Sequence, residues 1–331
     1  MNLNQMRIIN GKKGVVFTLL AIALAVFFTL VFSAKIDKPL DYKTELLEAR
    51  VNVLNDYLNT FYDYAEGIAS ISGYSALRGV IINISKAKDY NPNFENQFVY
   101  CIRTGNLTTT NICPNMTNQT VVYFLDQLVD IAKNELNINS SYTINNITVN
   151  QTIDAFSVEV ILNLSVRVTD EFANMSDNRV LVSRININGL PDPLYLINGT
   201  YNQTITTYEK AQGNWTYEDL QNLYYNHSYR RSSQGISFIS RIKGDFFSSA
   251  LYGIESFVNY TSVSYDDNDT MVDYLFWLRR KFNCVPTMST EIIGINDTVN
   301  FPLNGGKYFQ LDRNHTSTFF IPANYRAIPC S

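Results

Sequence analysis

The chain has 331 residues, a net charge of −4 and only 17% Asp, Glu, Lys and Arg. So small a charge offers no footprint for nucleic acid and no strongly acidic surface. Asn, Ser and Thr stand in for the missing charges, with 38 Asn alone. The length suffices for an anchor, a stalk and one large or two small domains.

Residues 1–14 (MNLNQMRIINGKKG) form a short, polar, basic leader. Residues 15–33 (VVFTLLAIALAVFFTLVFS) carry no charge, Pro or Gly. As a helix they span roughly 28 Å, close to the ~30 Å hydrocarbon core of a bilayer. Segment 15–34 is therefore expected to be a transmembrane or filament-core helix. Arg7, Lys12 and Lys13 on its N-terminal side place the leader in the cytoplasm and the bulk of the chain outside. The expected location is a single pass through the cell membrane, or an extracellular filament, with the lipid bilayer as first partner. Three fates compete for the leader. It stays as a signal-anchor, a secretory peptidase cuts after Ser33 or Ala34, or a cut falls between Gly14 and Val15.

Lys12-Lys13-Gly14 before an apolar helix resembles the leader of archaeal type IV pilin-like surface proteins. The resemblance covers about the first 80 residues. It implies processing at Gly14 and Val15, and homo-oligomers whose apolar helices leave the bilayer to pack as a filament core. Leu19 departs from the Glu that many bacterial pilins carry at this place, so no buried-Glu contact follows.

A stalk is expected over 35–88. Asp37 can cap a helix that tolerates Pro39 in its first turn. Leu47, Val51, Leu54, Leu58, Phe61, Ala65 and Ile68 then recur at spacings 4, 3, 4, 3, 4, 3. This 3.5-residue period predicts a helix over 41–71 packing along one seam. The seam suits self-association or a sheet of the same chain. Gly73 and Gly79 predict a bend beyond it.

Residues 89–200 read as an antiparallel β-rich domain. Its first part, 89–118, reads as a loop-rich insert. A helix is expected over 120–136, with Val121, Phe124, Leu128 and Ile131 on one face. In 156–168 apolar and polar residues alternate, the mark of a half-buried strand. Asn163 falls on its polar side, and Asn146 and Asn150 share a face of the strand before. A third strand is expected over 179–188, ended by a Gly-Leu-Pro-Asp-Pro turn. Residues 201–331 read as an aromatic-rich C-terminal domain with seven Tyr and Trp between Tyr201 and Tyr229. These suit a tyrosine-rich core or a carbohydrate-binding surface. Two stretches, 227–258 and 271–295, hold no glycosylation motif and read as core or protein contact.

N-x-Ser/Thr motifs occur at Asn83, Asn106, Asn115, Asn118, Asn139, Asn146, Asn150, Asn163, Asn174, Asn198, Asn202, Asn214, Asn226, Asn259, Asn268, Asn296 and Asn314. These are 17 sequons where chance placement gives about 6. None precedes position 83, so an exported, N-glycosylated surface is expected. Cys101, Cys113, Cys284 and Cys330 all lie on the proposed outer side, where disulfides persist. Three pairings are open.

No P-loop, G-x-G-x-x-G, G-x-S-x-G or H-E-x-x-H occurs. His227 and His315 are both central residues of sequons, which argues against either as a base, triad member or metal ligand. The Asp266-Asp267-Asn268-Asp269 run reads as a solvated turn. No cofactor, metal or catalytic residue is assigned. The expected fold class is α+β: an apolar N-terminal helix, an amphipathic stalk helix, an antiparallel β-rich domain and the aromatic domain. The leading functional expectation is a non-enzymatic, pilin-like surface glycoprotein serving as filament subunit or adhesin. A receptor or attachment ectodomain with a cell-surface or glycan ligand stands second, and an extracellular hydrolase third.

Overall fold

The computed structural model describes Leu24 and residues 39–171, 173–199, 202–210, 215–233, 235–246, 251–259, 270–279, 290–292, 310–311, 315, 319 and 325–327. They fall into two compact units, Met1–Asn55 with Glu171–Ala173, and Asp56–Asp170 with Asn174–Ser331. The fold is α+β with an antiparallel sheet. Among the described residues no helix is long and apolar enough to cross a membrane. The expected apolar helix, Leu24 apart, lies outside them, as does the Gly14–Val15 bond.

Helix α1 runs unbroken from Pro39 to Ala87, 49 residues. It is longer than its heptads announce and continuous through Gly73 and Gly79, where a bend was expected. Both glycines instead mark close approach. A Cβ at Gly73 would sit 2.6 Å from Cδ1 of Ile185, and one at Gly79 would sit 2.6 Å from the Pro114 carbonyl oxygen. Removing the side chain lets a sheet and a turn press against the helix backbone.

The sheet is a meander, in the order β1 (Asn139–Asn150), β2 (Ser157–Thr169), β3 (Asn174–Asn186). Strand β3 begins five residues before the expected start. On the inner face Val158, Val160, Leu162, Leu164, Val166 and Val168 are each at most 1% exposed. Burying such side chains stabilises by about 1.5–3 kcal/mol each. Leu58, Phe61, Ala65 and Ile68 of α1 are buried with them. The docking is pinned by polar contacts: Tyr62 Oη donates to the Asp177 carbonyl (2.7 Å), Ser183 Oγ to that of Glu66 (2.6 Å) and Ser70 Oγ to that of Arg184 (2.9 Å).

The insert expected to be loop-rich contains helix α2, Phe94–Thr104, which buries Phe94, Phe98, Cys101 and Ile102. Helix α3, Val121–Glu135, starts at the Thr120 cap, whose hydroxyl accepts from Tyr123 N at 3.0 Å. Its buried residues are Val121, Leu125 and Ala132, whereas Ile131 is exposed. The core face is thus rotated from the one expected.

Short elements follow: α4 (Pro193–Asn198), α5 (Tyr217–Tyr225), β4 (Arg230–Ser232), α6 (Phe238–Lys243), β5 (Gly253–Glu255), α7 (Asp273–Arg279), β6 (Thr290–Ile292), β7 (Gln310–Leu311) and β8 (Tyr325–Ala327). β4 pairs with β5, and β6 lies between β7 and β8.

Candidate glycan-bearing face and a buried charge network

The outer face of the sheet collects sequons. Asn146 pairs directly with Asn163, Asn150 with Glu159, and Asn139 with Thr169, which in turn pairs with Asn174. A register shift between Ile144 and Asn146 reverses the side-chain alternation of β1. That bulge brings Asn139, at odd parity, to the same face as Asn146 and Asn150. The inward residues Ile144, Ile147 and Val149 are buried, while Asn139, Asn146, Asn150 and Asn174 are exposed and Asn163 is half-buried. Five sequons therefore share one face.

Elsewhere Asn115, Asn118, Asn202 and Asn226 are exposed, and Asn83, Asn106, Asn198 and Asn259 are half-buried. None of these thirteen described sequon asparagines is buried. Asn115 and Asn118 sit on turns at positive φ, 65° and 56°, a conformation Asn tolerates. Asn83 falls on α1, beyond the 41–71 stretch that carries the heptads. Asn198 differs from the rest, since its amide nitrogen donates to Tyr90 Oη and to the Leu194 carbonyl. Asn214, Asn268, Asn296 and Asn314 lie outside the described residues.

Cys101 and Cys113 form a disulfide, with Cα atoms 5.7 Å apart. It ties the end of α2 to the turn that packs on Gly79. Cys284 and Cys330 lie outside the described residues. The proposed self-association seam divides. Leu54, Leu58, Phe61, Ala65 and Ile68 are at most 3% exposed, while Leu47 and Val51 are 43% and 41% exposed.

The C-terminal half is built around charges the sequence reading did not single out. Asp192 caps α4, its Oδ1 accepting from Leu194 N at 2.9 Å. Its Oδ2 accepts from Tyr229 Oη (2.8 Å) and Arg241 Nη1 (2.7 Å). Arg241 Nη2 reaches Asp273 Oδ2 at 2.6 Å, and all three charged residues are fully buried. Next to them Glu255 holds Arg230 through one oxygen and His315 Nε2 through the other, the latter at 2.6 Å. Three consecutive residues join the clusters: the Ile254 carbonyl accepts from Arg241, Glu255 pairs as above, and Ser256 N donates to Asp273. Arg230 also lies 4.4 Å from the Phe319 ring centroid.

Burial pushes Glu255 up, but His315 and Arg230 outweigh it and bring the carboxyl down to about 2. Burial pushes Asp273 up to about 7; Arg241 opposes this, and Asp192 and Glu255 reinforce it. Asp273 Oδ1 has no hydrogen-bond partner among the described residues. The six charged side chains are 0–6% exposed, so no solute meets them unless the core opens. Their chemistry is cohesion: they join α4, α6, α7, β4 and β5. Breaking a buried pair costs about 3–5 kcal/mol, because the partner charge stays buried.

His315 is a correction to the expectation from its sequon, since it is fully buried against a carboxylate sixty positions away. His227 is half-buried, and burial pulls its imidazole below the ordinary value. Among the described residues no three His, Cys, Asp or Glu are placed to hold a metal. The aromatic run divides: Tyr224 and Tyr229 are buried, Tyr208 and Trp215 half-buried and Tyr225 exposed. Ile236, Phe238 and Ile239, expected as core, are buried. The only sequence signal for the network was a single charge inside each of three apolar stretches, Arg241, Glu255 and Asp273. No family model, curated protein or solved structure matches the chain.

Proposed function

We propose that this chain is a non-enzymatic, N-glycosylated cell-surface protein, anchored by its apolar N-terminal segment and serving assembly or adhesion. The carrying observation is the distribution of its sequons: none of the thirteen described asparagines is buried, and five share the outer face of one sheet. An exposed asparagine is what oligosaccharide attachment requires. The inner face of β2 is apolar and buried, so this strand keeps motif and core on opposite sides. The pilin-like leader supports the anchored reading, with the helix at 15–33 either kept in the bilayer or released into a filament.

Intact-glycopeptide mass spectrometry of the native protein, read together with its N-terminal residue, tests this. Hexose-bearing peptides at Asn146, Asn150 and Asn163 are expected. Bare asparagine at all five sheet sites overturns the proposal. A start at Val15 supports the filament form and a start at Met1 the signal-anchor. A start near Ala34 or Lys35 removes the anchor.

A further inference from the structure

Helix α1 carries a second heptad row on the side away from the sheet. Thr60, Tyr64, Gly67, Ile71, Tyr74 and Arg78 follow one another at spacings 4, 3, 4, 3, 4, which aligns them as one stripe. Tyr64, Ile71 and Tyr74 are 52%, 56% and 37% exposed. Thr60, Gly67 and Arg78 are exposed as well. A Cβ at Gly67 would meet nothing within 4 Å, so the glycine leaves an open hollow in the stripe. The opposite side of the helix, with Ala69, Gly73, Ala76 and Val80, is buried.

A straight stripe at this period suits a second helix packed along it. The charges flanking the stripe select the partner. Asp56, Asp63 and Glu66 are exposed before Ile71, and Arg78 and Lys86 are exposed after it. Two copies lying in the same direction set like charge beside like. Two copies in opposite directions set acid beside base. With Ile71 at the centre of an antiparallel pair, positions equally far before and after it face one another. Tyr64 then meets Arg78 of the other copy, a cation–π pair. Gly67, four residues before the centre, and Tyr74, three after it, come within about 1.5 Å of facing along the axis, a large side chain near an open hollow. Both contacts occur twice, as a two-fold axis requires.

We propose that the outer stripe of α1 is a self-association surface on which two copies of this chain pair antiparallel about Ile71. It is distinct from the seam of Leu58, Phe61, Ala65 and Ile68, which is buried within the chain. None of its residues belongs to a sequon, and Asn83 lies about 120° round the helix from Ile71. With the chain anchored as proposed above, copies on one membrane run in one direction, so the pair joins two surfaces; that step alone rests on the anchored reading.

Single-cysteine variants of the full-length protein in detergent, mildly oxidised and run without reductant, test the pairing. The wild-type chain sets the baseline for its native cysteines. Ile71→Cys is expected to give covalent dimer, and Tyr64→Cys mixed with Arg78→Cys a covalent heterodimer. Thr60→Cys alone is expected to stay at baseline, because the two copies of that position lie about 33 Å apart along the axis. Gly67→Gln in the Ile71→Cys chain is expected to slow dimer formation at least tenfold with a Tm no lower than that of the Ile71→Cys chain. Baseline behaviour of Ile71→Cys overturns the proposal, as does equal cross-linking at Thr60 and Ile71, which marks a parallel pair. Vesicles bearing the full chain are expected to aggregate, and Gly67→Gln vesicles are not. Cross-linking in detergent without vesicle aggregation removes the joining of two surfaces.

Discussion

Asn146 and Asn163 face each other across neighbouring antiparallel strands on the outer side of the sheet. Directly opposed residues lie about 5 Å apart, so two bulky oligosaccharides there compete for space. Asn145 adds to the crowding, its amide nitrogen donating to Asn163 Oδ1 at 3.1 Å. Replacing Asn146 with Gln is expected to raise glycan occupancy at Asn163, and the reverse substitution to raise it at Asn146. Quantitative glycopeptide mapping reads this directly; independent occupancies count against it.

Asn198 is expected to be the poorly occupied exception. A glycan on its amide nitrogen replaces one of the two N–H donors that now serve Tyr90 and the Leu194 carbonyl, and crowds the other. The Tyr90 hydroxyl, half-buried, is already pushed up to about 12 by burial, against the lowering effect of Asn198. Site-resolved mass spectrometry is expected to show Asn198 well below Asn202, four residues on and exposed.

Two glycines of one helix are expected to respond in opposite directions. Gly67→Ala meets open space and gains helix propensity, so it is expected to stabilise by about 0.5–1 kcal/mol. Gly79→Ala sets a Cβ 2.6 Å from the Pro114 carbonyl oxygen and 2.7 Å from Cys113 Sγ. Neither neighbour is a flexible side-chain end, and a loss of about 1–3 kcal/mol is expected. Denaturant midpoints of the two variants check the contrast.

The charge network makes stability pH-dependent in two directions. Asp273 is raised to about 7, so its neutral form favours the folded state. Its contribution is full below the ordinary carboxylate range and is lost as pH rises from about 4 to about 7. Glu255 is lowered to about 2, so its contribution is present above the ordinary range and lost as pH falls from about 4.5 towards 2. Tm is expected to fall on both sides of about pH 4–5. Asp273→Asn is expected to remove most of the slope on the alkaline side and leave the acid side intact. Arg241→Met, which leaves two buried carboxylates without their cation, is expected to cost about 3–5 kcal/mol.

The Cys101–Cys113 bridge closes a loop with a separation of 12 residues. Loop-closure entropy alone gives about 3 kcal/mol for a ring of this size. Replacing both cysteines with Ser is expected to lower stability by about 2–4 kcal/mol, measured by urea unfolding of the oxidised chain against the variant.

Periodicity carried the sequence reading wherever one residue's neighbours are set by local geometry. The alternation through 156–168 located β2 and its buried face to within a residue. The heptads located α1, and Thr120 located the start of α3. Parity alone put Asn146 and Asn150 on one face. Parity says nothing of Asn139, because a bulge inside β1 reverses alternation and leaves no mark in the composition of the strand. Gly73 and Gly79 misled for a related reason: a glycine admits either a bend or a close neighbour, and only the neighbour distinguishes them. Helix α2 was missed although Phe94, Phe98, Cys101 and Ile102 stand at i, i+4, i+7 and i+8, because the Asn, Pro and Gly on either side of so short a run read as loop.

The chain by itself determined the α+β class, the long helix, the faces of β2 and the shared face of Asn146 and Asn150. Each depends on a period of 2 or 3.5 residues. Only the tertiary structure decided that most of the predicted seam is buried in the chain's own core, that Cys101 bonds Cys113, and that Asp192, Arg241, Asp273, Arg230, Glu255 and His315 converge. Those residues span more than a hundred positions. A buried charge is stable only beside its counter-charge, and no local pattern states which distant segment supplies it.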